Sequence, residues 1–179
     1  SMDVEEEQSI ESCFNSLLQK KIKLDLLYNN AGIIDWDNLN EVSASSTEKI
    51  YKVNLIGALL VTRHAIPCLK NSADPVIVNL SSRLGSIEIR GETQLGGAIA
   101  YQCSKAALNM LTKQSAIDLH KHNIRVISQS PGWVKTDMGG KDAKYEIKDA
   151  VTKMIQSLLK MKSDQTGIFI GEDGDLIPW

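Results

Sequence analysis

Apolar residues recur at helical spacing in some stretches of this chain and run almost unbroken in others, and the two patterns alternate from end to end. From Glu5 to Lys20 the apolar positions Ile10, Cys13, Phe14, Leu17 and Leu18 fall on one helical face, and Lys20 and Lys21 follow where cations suit a helix C-terminus. Leu24 to Tyr28 is a short apolar run that stops at Asn29, Asn30, Ala31 and Gly32, which predicts a buried strand ending in a turn. After a polar loop through Trp36, Ser45 and Glu48 have capping-box spacing. They predict a long helix through Ile50, Val53, Leu60, Val61 and Ala65, with Pro67 setting its end near Cys68 to Lys70. Pro75 to Leu80 is β-branched enough to predict a second buried strand, and Ser81 to Gly97 reads as a long irregular stretch. A helix rich in Ala106, Ala107, Leu108 and Met110 then runs to about Leu119 and closes on His120 to Asn123. Ile124 to Ser128 is a third strand, followed at once by Pro131 and Gly132. Lys135 to Lys144 reads as a mobile loop, Ile147 to Met161 returns to helical periodicity, and Gly167 to Ile170 fits a fourth strand.

Strands separated by helices predict an α/β fold: a parallel, doubly wound sheet with helices on both faces. In such sheets the ligand crevice lies beyond the carboxyl ends of the strands. Asn29 to Gly32, Ser81 with Ser82, and Pro131 to Thr136 each follow a predicted strand, so three loops should open onto one rim. Length adds that one domain over 1–179 suffices, since 179 residues at 42% hydrophobic can fill a core. Charge removes partners: a formal −2 leaves no basic footprint for nucleic acid. No apolar run reaches the roughly 18 residues of a membrane span, and the acidic start SMDVEEEQ is unlike a signal peptide, so a cytoplasmic protein is expected. Cys13, Cys68 and Cys103 sit in apolar contexts and read as reduced core residues. His64, His120 and His122 have no partners at metal-site spacing, and no metal is expected.

The candidate chemistry centres on Ala100 to Leu111, where Tyr101 and Lys105 stand four residues apart and therefore on one helical face. A lysine charge beside a phenol favours the phenolate, which would lower the tyrosine pKa and make Tyr101 an acid or base near neutrality. Four segments in order, Asn29-Asn30-Ala31-Gly32, Ser81-Ser82, Tyr101 with Lys105, and PGWVKTDM from Pro131 to Met138, together with Asn54 in VNLIG, resemble the hallmarks of the short-chain dehydrogenase/reductase family. The terminal GEDGDLIPW is similar to the ending of the carbonyl reductase subgroup that includes C-factor and Sniffer-like proteins.

The resemblance implies a Rossmann-like sheet and an NAD(P)-dependent oxidoreductase, with NADP slightly favoured over NAD by the subgroup, acting on a small-molecule carbonyl or alcohol. It implies that Tyr101 exchanges a proton with the substrate oxygen, that Lys105 holds the nicotinamide ribose, that Ser82 hydrogen-bonds the substrate oxygen, and that Asn54 supports a proton relay to Lys105. Cofactor contacts would come from Asp3, Asn30, Ala31 and Gly32 on the adenosine side, and from Pro131, Gly132, Val134 and Thr136 on the nicotinamide side, besides Tyr101 and Lys105. Two departures accompany it. Ser82 precedes Tyr101 by 19 positions, longer than is usual in the family, so Glu88 to Gly97 reads as an insertion at the substrate mouth. Asp3 and Val4 match the pair that follows the family's third strand, which implies about four strands here, the first three and their Gly-rich turn being absent. Leu24 to Tyr28 then becomes an apolar edge, a possible pairing site for a homodimer. The alternative to an active enzyme is a truncated, inactive form that associates through that edge.

Overall fold

In a computed structural model of the chain, which describes residues 1–93 and 96–179, four parallel strands lie in the order β1 (Leu26–Asn29), β2 (Val76–Leu80), β3 (Arg125–Gln129) and β4 (Phe169–Ile170). The register is continuous across the sheet: Asn29 pairs with Asn79, Asn79 with Ser128, and Ser128 with Phe169. The α-helices among the described residues are α1 (Glu7–Gln19), α2 (Ala44–Tyr51), α3 (Ala58–Leu69), α4 (Arg90–Thr93), α5 (Ile99–Leu119) and α6 (Ile147–Leu159). The α/β pattern predicted from periodicity is therefore the observed one, with each strand starting one or two residues later than expected.

Alternation along the strands divides the core in two. Ile77 and Val126 point to one face, where they meet Ile10 and Phe14 of α1, Val61, Ala65 and Leu69 of α3, and Ala116 and Leu119 of α5. Val78, Ile127 and Ile170 point to the other and pack with Leu158 of α6 and Met161 beyond it. Burying such side chains contributes about 1.5–3 kcal/mol each, enough to hold a sheet whose outer strand is only four residues long. At the carboxyl ends the inward positions become polar. Asn29 Nδ2 donates to Asn79 Oδ1 at 2.8 Å, Asn79 Nδ2 donates to Thr112 Oγ1 at 2.8 Å, and Thr112 and Ser128 hydroxyls lie 2.8 Å apart. This satisfied row ties α5 to three strands at the level where the apolar core gives way to the crevice.

Several expectations change. The α2 cap is Ser43, whose side chain accepts from Ser46 N at 3.1 Å, not Ser45, which lies inside the helix. The long helix after it is broken by a π-helical turn over Lys52–Gly57, between α2 and α3. The end expected near Cys68 to Lys70 is the observed one: α3 stops at Leu69, with Pro67 in its last turn and Lys70 N reaching Ile66 O at 3.0 Å. The stretch Ser81 to Gly97 is less irregular than expected, holding a 3₁₀ turn at Arg83–Gly85 and helix α4, while Gln94 and Leu95 lie outside the described residues. Lys135 to Lys144, read as a mobile loop, is closed at its base: Tyr145 N donates to Trp133 O at 3.0 Å and Lys135 N to Tyr145 O at 2.9 Å. Only Cys68 of the three cysteines is buried; Cys103 is exposed on α5 because its helical position faces away from the sheet. β1 is an outer strand, as expected. No helix among the described residues is long and apolar enough to cross a membrane.

Candidate active site

A cleft of about 580 Å³ opens beyond the carboxyl ends of β1, β2 and β3, lined by the loops that follow each strand and by Tyr101 of α5. Asn30, Gly32, Ser82, Tyr101, Pro131, Gly132, Val134 and Thr136 all line it. Eight of the residues singled out in the sequence thus meet in one hollow, contributed by four separate segments.

Tyr101 is 7% exposed and Lys105 4%, so helical spacing has placed both against the sheet rather than in solvent. Lys105 Nζ lies 5.6 Å from the Tyr101 ring centroid and donates to Leu80 O, the last carbonyl of β2, at 2.7 Å. Burial of this ammonium lowers its pKa to about 8. The sign expected for Tyr101 is reversed: burial pushes the phenol above its ordinary range, and its hydrogen bond with Ser82 only partly offsets that. Desolvation wins because the lysine charge is itself costly here and is directed at a backbone carbonyl.

Ser82 caps the 3₁₀ turn, its Oγ accepting from Leu84 N at 3.2 Å. Ser81 next to it is buried and donates to Asn109 Oδ1 at 2.7 Å, while Asn109 Nδ2 donates to Gly85 O at 3.2 Å. Asn109, eight residues beyond Tyr101 on the same helix, therefore fixes both ends of the serine turn relative to Tyr101. Nothing in the spacing of the sequence marked it.

Asn54 sits in the π turn with all its side-chain groups engaged. Its Oδ1 accepts from Ile33 N at 2.8 Å, and its Nδ2 donates to Ile33 O at 2.9 Å and to Ser104 Oγ at 3.0 Å. It clamps the loop after β1 onto α5. A Cβ at Gly32 would lie 3.4 Å from Lys105 Nζ and 3.5 Å from Asn54 Oδ1, so Lys105 and Asn54 stand directly behind the glycine that lines the cleft.

Gly132 has φ +75°, and a Cβ there would come 2.8 Å from Tyr145 Cε2 and 2.9 Å from Glu172 Oε1, so both backbone conformation and space demand glycine. Thr136 Oγ1 accepts from Gly139 N at 3.1 Å and shapes the loop. Trp133 lines the cleft and donates from Nε1 to Gly139 O at 2.7 Å; Trp36 and Met138 line it too.

Two predicted cofactor residues lie elsewhere. Ala31 lines a second, smaller hollow of about 140 Å³ with Val4, Val53 and Ala58, and Asn30 borders both hollows. Asp3 lines neither; its Oδ1 accepts from Glu5 N at 2.9 Å in the turn before α1. Its neighbour Val4 lines the smaller hollow, its carbonyl packed where a Cβ on Gly57 would be 2.9 Å away. The residues around the main cleft fit a nicotinamide ribose. Gly32 and Gly132 keep its walls low, and one of the three donors of a buried ammonium goes to Leu80 O.

Comparison with known proteins agrees with this geometry. The family model described as short chain dehydrogenase matches residues 1–146. C-signal of Myxococcus xanthus is 34% identical over 157 residues, which are 87% of this chain and 93% of that protein. The NADPH-bound carbonyl reductase from chicken fatty liver superposes with a TM-score of 0.94 at 33% identity, over 99% of this chain and 75% of that one. Carbonyl reductase Sniffer of D. melanogaster superposes at 0.92 with 30% identity, over 100% of this chain and 77% of that one. With its motifs assembled in one cleft and its fold shared with both reductases, the chain belongs to the short-chain dehydrogenase family of NAD(P)-dependent oxidoreductases, on its carbonyl-reductase-like side.

Proposed function

We propose that this chain reduces a small-molecule carbonyl, or oxidises the corresponding alcohol, with NADP or NAD, and that Tyr101 is the proton-transferring residue. The observation that carries the reading is the convergence of Tyr101, Ser82 and Gly32 on one cleft, with Lys105 Nζ 3.4 Å from where a Cβ on Gly32 would stand. When bound, the nicotinamide supplies or accepts the hydride. Tyr101 gives its phenolic proton to the carbonyl oxygen in reduction, and takes one from the alcohol in the reverse direction. A phenol whose pKa is raised by burial stays protonated at neutral pH, which suits the donor role. Ser82, which lines the same cleft as Tyr101, directs its hydroxyl at the same substrate oxygen, where charge develops. Lys105 holds the ribose hydroxyls with the donors that Leu80 O does not take. Asn54 keeps the Gly32 loop against Lys105 and borders the proton route to that lysine.

Gly32, Pro131, Gly132, Val134 and Thr136 form the nicotinamide side, and Asn30, Ala31 and the Asp3–Val4 pair the adenosine side. The two hollows that meet at Asn30 support an extended, two-part ligand. NADP is favoured over NAD because the chicken reductase, similar over nearly the whole chain, is NADPH-bound. A second reading, association without catalysis, is favoured by one observation: β1 is an outer strand and its Leu26 is half exposed. Titrating NADPH and NADH while following ligand fluorescence separates the two. The enzyme reading predicts saturable binding that Lys105→Ala abolishes. No binding up to about millimolar cofactor, together with a dimer by light scattering, would establish the second reading instead.

A further inference from the structure

Arg83 follows Ser82 directly, yet it is not among the residues that line the cleft. Its guanidinium meets the last nine residues: Nη2 donates to Asp175 Oδ2 at 2.9 Å and lies 3.6 Å from Glu172 Oε2. The backbone gives way to this pair at Gly171, where a Cβ would stand 2.5 Å from Arg83 Nη2. Glu172 is 7% exposed, and its Oε2 is buried without a hydrogen-bond partner among the described residues. A buried carboxylate oxygen in that condition is costly, and a cation at 3.6 Å compensates by charge without forming a full hydrogen bond. The other oxygen, Oε1, rests against Gly132, where a Cβ would be 2.9 Å from it. Glu172 therefore bridges the serine turn, through Arg83, and the Pro131–Gly132 loop on the opposite wall.

The same terminal segment grips the serine turn twice more. Ser86 Oγ donates to Pro178 O at 2.7 Å, and Glu88 N donates to Trp179 O at 3.0 Å. Trp179 is anchored in turn, its ring stacked on Phe169 at 5.7 Å between centroids with Lys113 Nζ 5.4 Å away. The GEDGDLIPW ending thus has a place that the proposed chemistry does not use.

We propose that Glu172 and Arg83 are a positioning pair through which the segment Gly171–Trp179 sets the distance between the Ser82 turn and the Pro131–Gly132 loop. They touch no reacting atom and act through Ser82 and Gly132, so the inference rests on the reading of Ser82 and Tyr101 as the reacting pair. Arg83 pulls the serine turn toward the tail, Glu172 holds the glycine loop at contact distance, and neither wall moves without the other.

The test compares Glu172→Gln and Arg83→Met with wild type by two readouts. Hydrogen exchange follows the amides of Leu84, Gly85 and Ser86, which donate within the serine turn. They should exchange at least about tenfold faster in both variants, while the β2–β3 ladder amides keep their protection. In carbonyl reduction with NADPH, kcat should fall roughly 10- to 100-fold with cofactor affinity little changed, because orientation rather than binding is lost. Arg83→Lys, which keeps the charge, should recover most of both. Unchanged exchange in the turn overturns the proposal, as does an equal loss of protection across β2 and β3, or a loosened turn with wild-type kcat. A wild-type chain without turnover would count against the functional reading alone, because the exchange comparison decides the coupling by itself.

Discussion

Lys105 is a buried cation whose described hydrogen-bond partner is a backbone carbonyl, and that sets its behaviour with pH. Its pKa is about 8 in the folded chain against 10.5 when unperturbed, so between those values the unfolded state binds more protons than the folded one. Stability attributable to this residue therefore rises as pH climbs from about 8 to 10.5, and is lost as pH falls through the folded value. Lys105→Met removes the titration. The unfolding free energy of wild type relative to the variant, from urea melts on either side of the window, should increase by up to about 3 kcal/mol with rising pH. A difference that is flat or falls would contradict the burial argument. The pairing of Tyr101 with Lys105 was legible in the sequence because it needs only the helical period. The direction of the Tyr101 shift was not legible, since it depends on how completely β2 and the serine turn cover the ring.

The π turn at Lys52–Gly57 is the element that spacing could not reveal. Apolar residues continue through it at helical intervals, so the hydrophobic pattern of a broken helix and a continuous one is nearly the same. Its consequence is local: Asn54 is buried and presents its amide to both backbone groups of Ile33. Asn54→Ala should cost about 1–3 kcal/mol, because Ile33 N and O are left without partners. The measurement is a denaturant midpoint with unchanged slope; a loss under a few tenths of a kcal/mol would mean that the clamp holds nothing. The strands were legible because short β-branched runs bounded by turn residues have few other outcomes. The serine turn's supports were not. Asn109 meets Ser81 at a separation of 28 residues, and Arg83 meets Asp175 at a separation of 92, contacts fixed only by the order of strands in the sheet.

On the scale of the whole molecule, the parallel order β1-β2-β3-β4 brings three strand-following loops to one rim, and α5 delivers Tyr101 to it. That convergence followed from the sequence once the alternation of strand and helix was read. The separation of the two hollows did not, and it moved Ala31 and Asp3 away from the main cleft. The chain spans 93% of C-signal and about three quarters of the two reductases, and the superpositions on those reductases take in 99% and 100% of this chain, the Tyr101 cleft included. We propose that this cleft performs proton-coupled hydride transfer with Tyr101 as the proton donor. The most direct test is NADPH oxidation, followed by absorbance, over a panel of carbonyl compounds for wild type and Tyr101→Phe, with cofactor affinity measured for both. Wild type should show carbonyl-dependent turnover, and the variant a loss of about 100-fold or more in kcat at nearly unchanged NADPH affinity. Turnover that survives in Tyr101→Phe at the wild-type rate would contradict it.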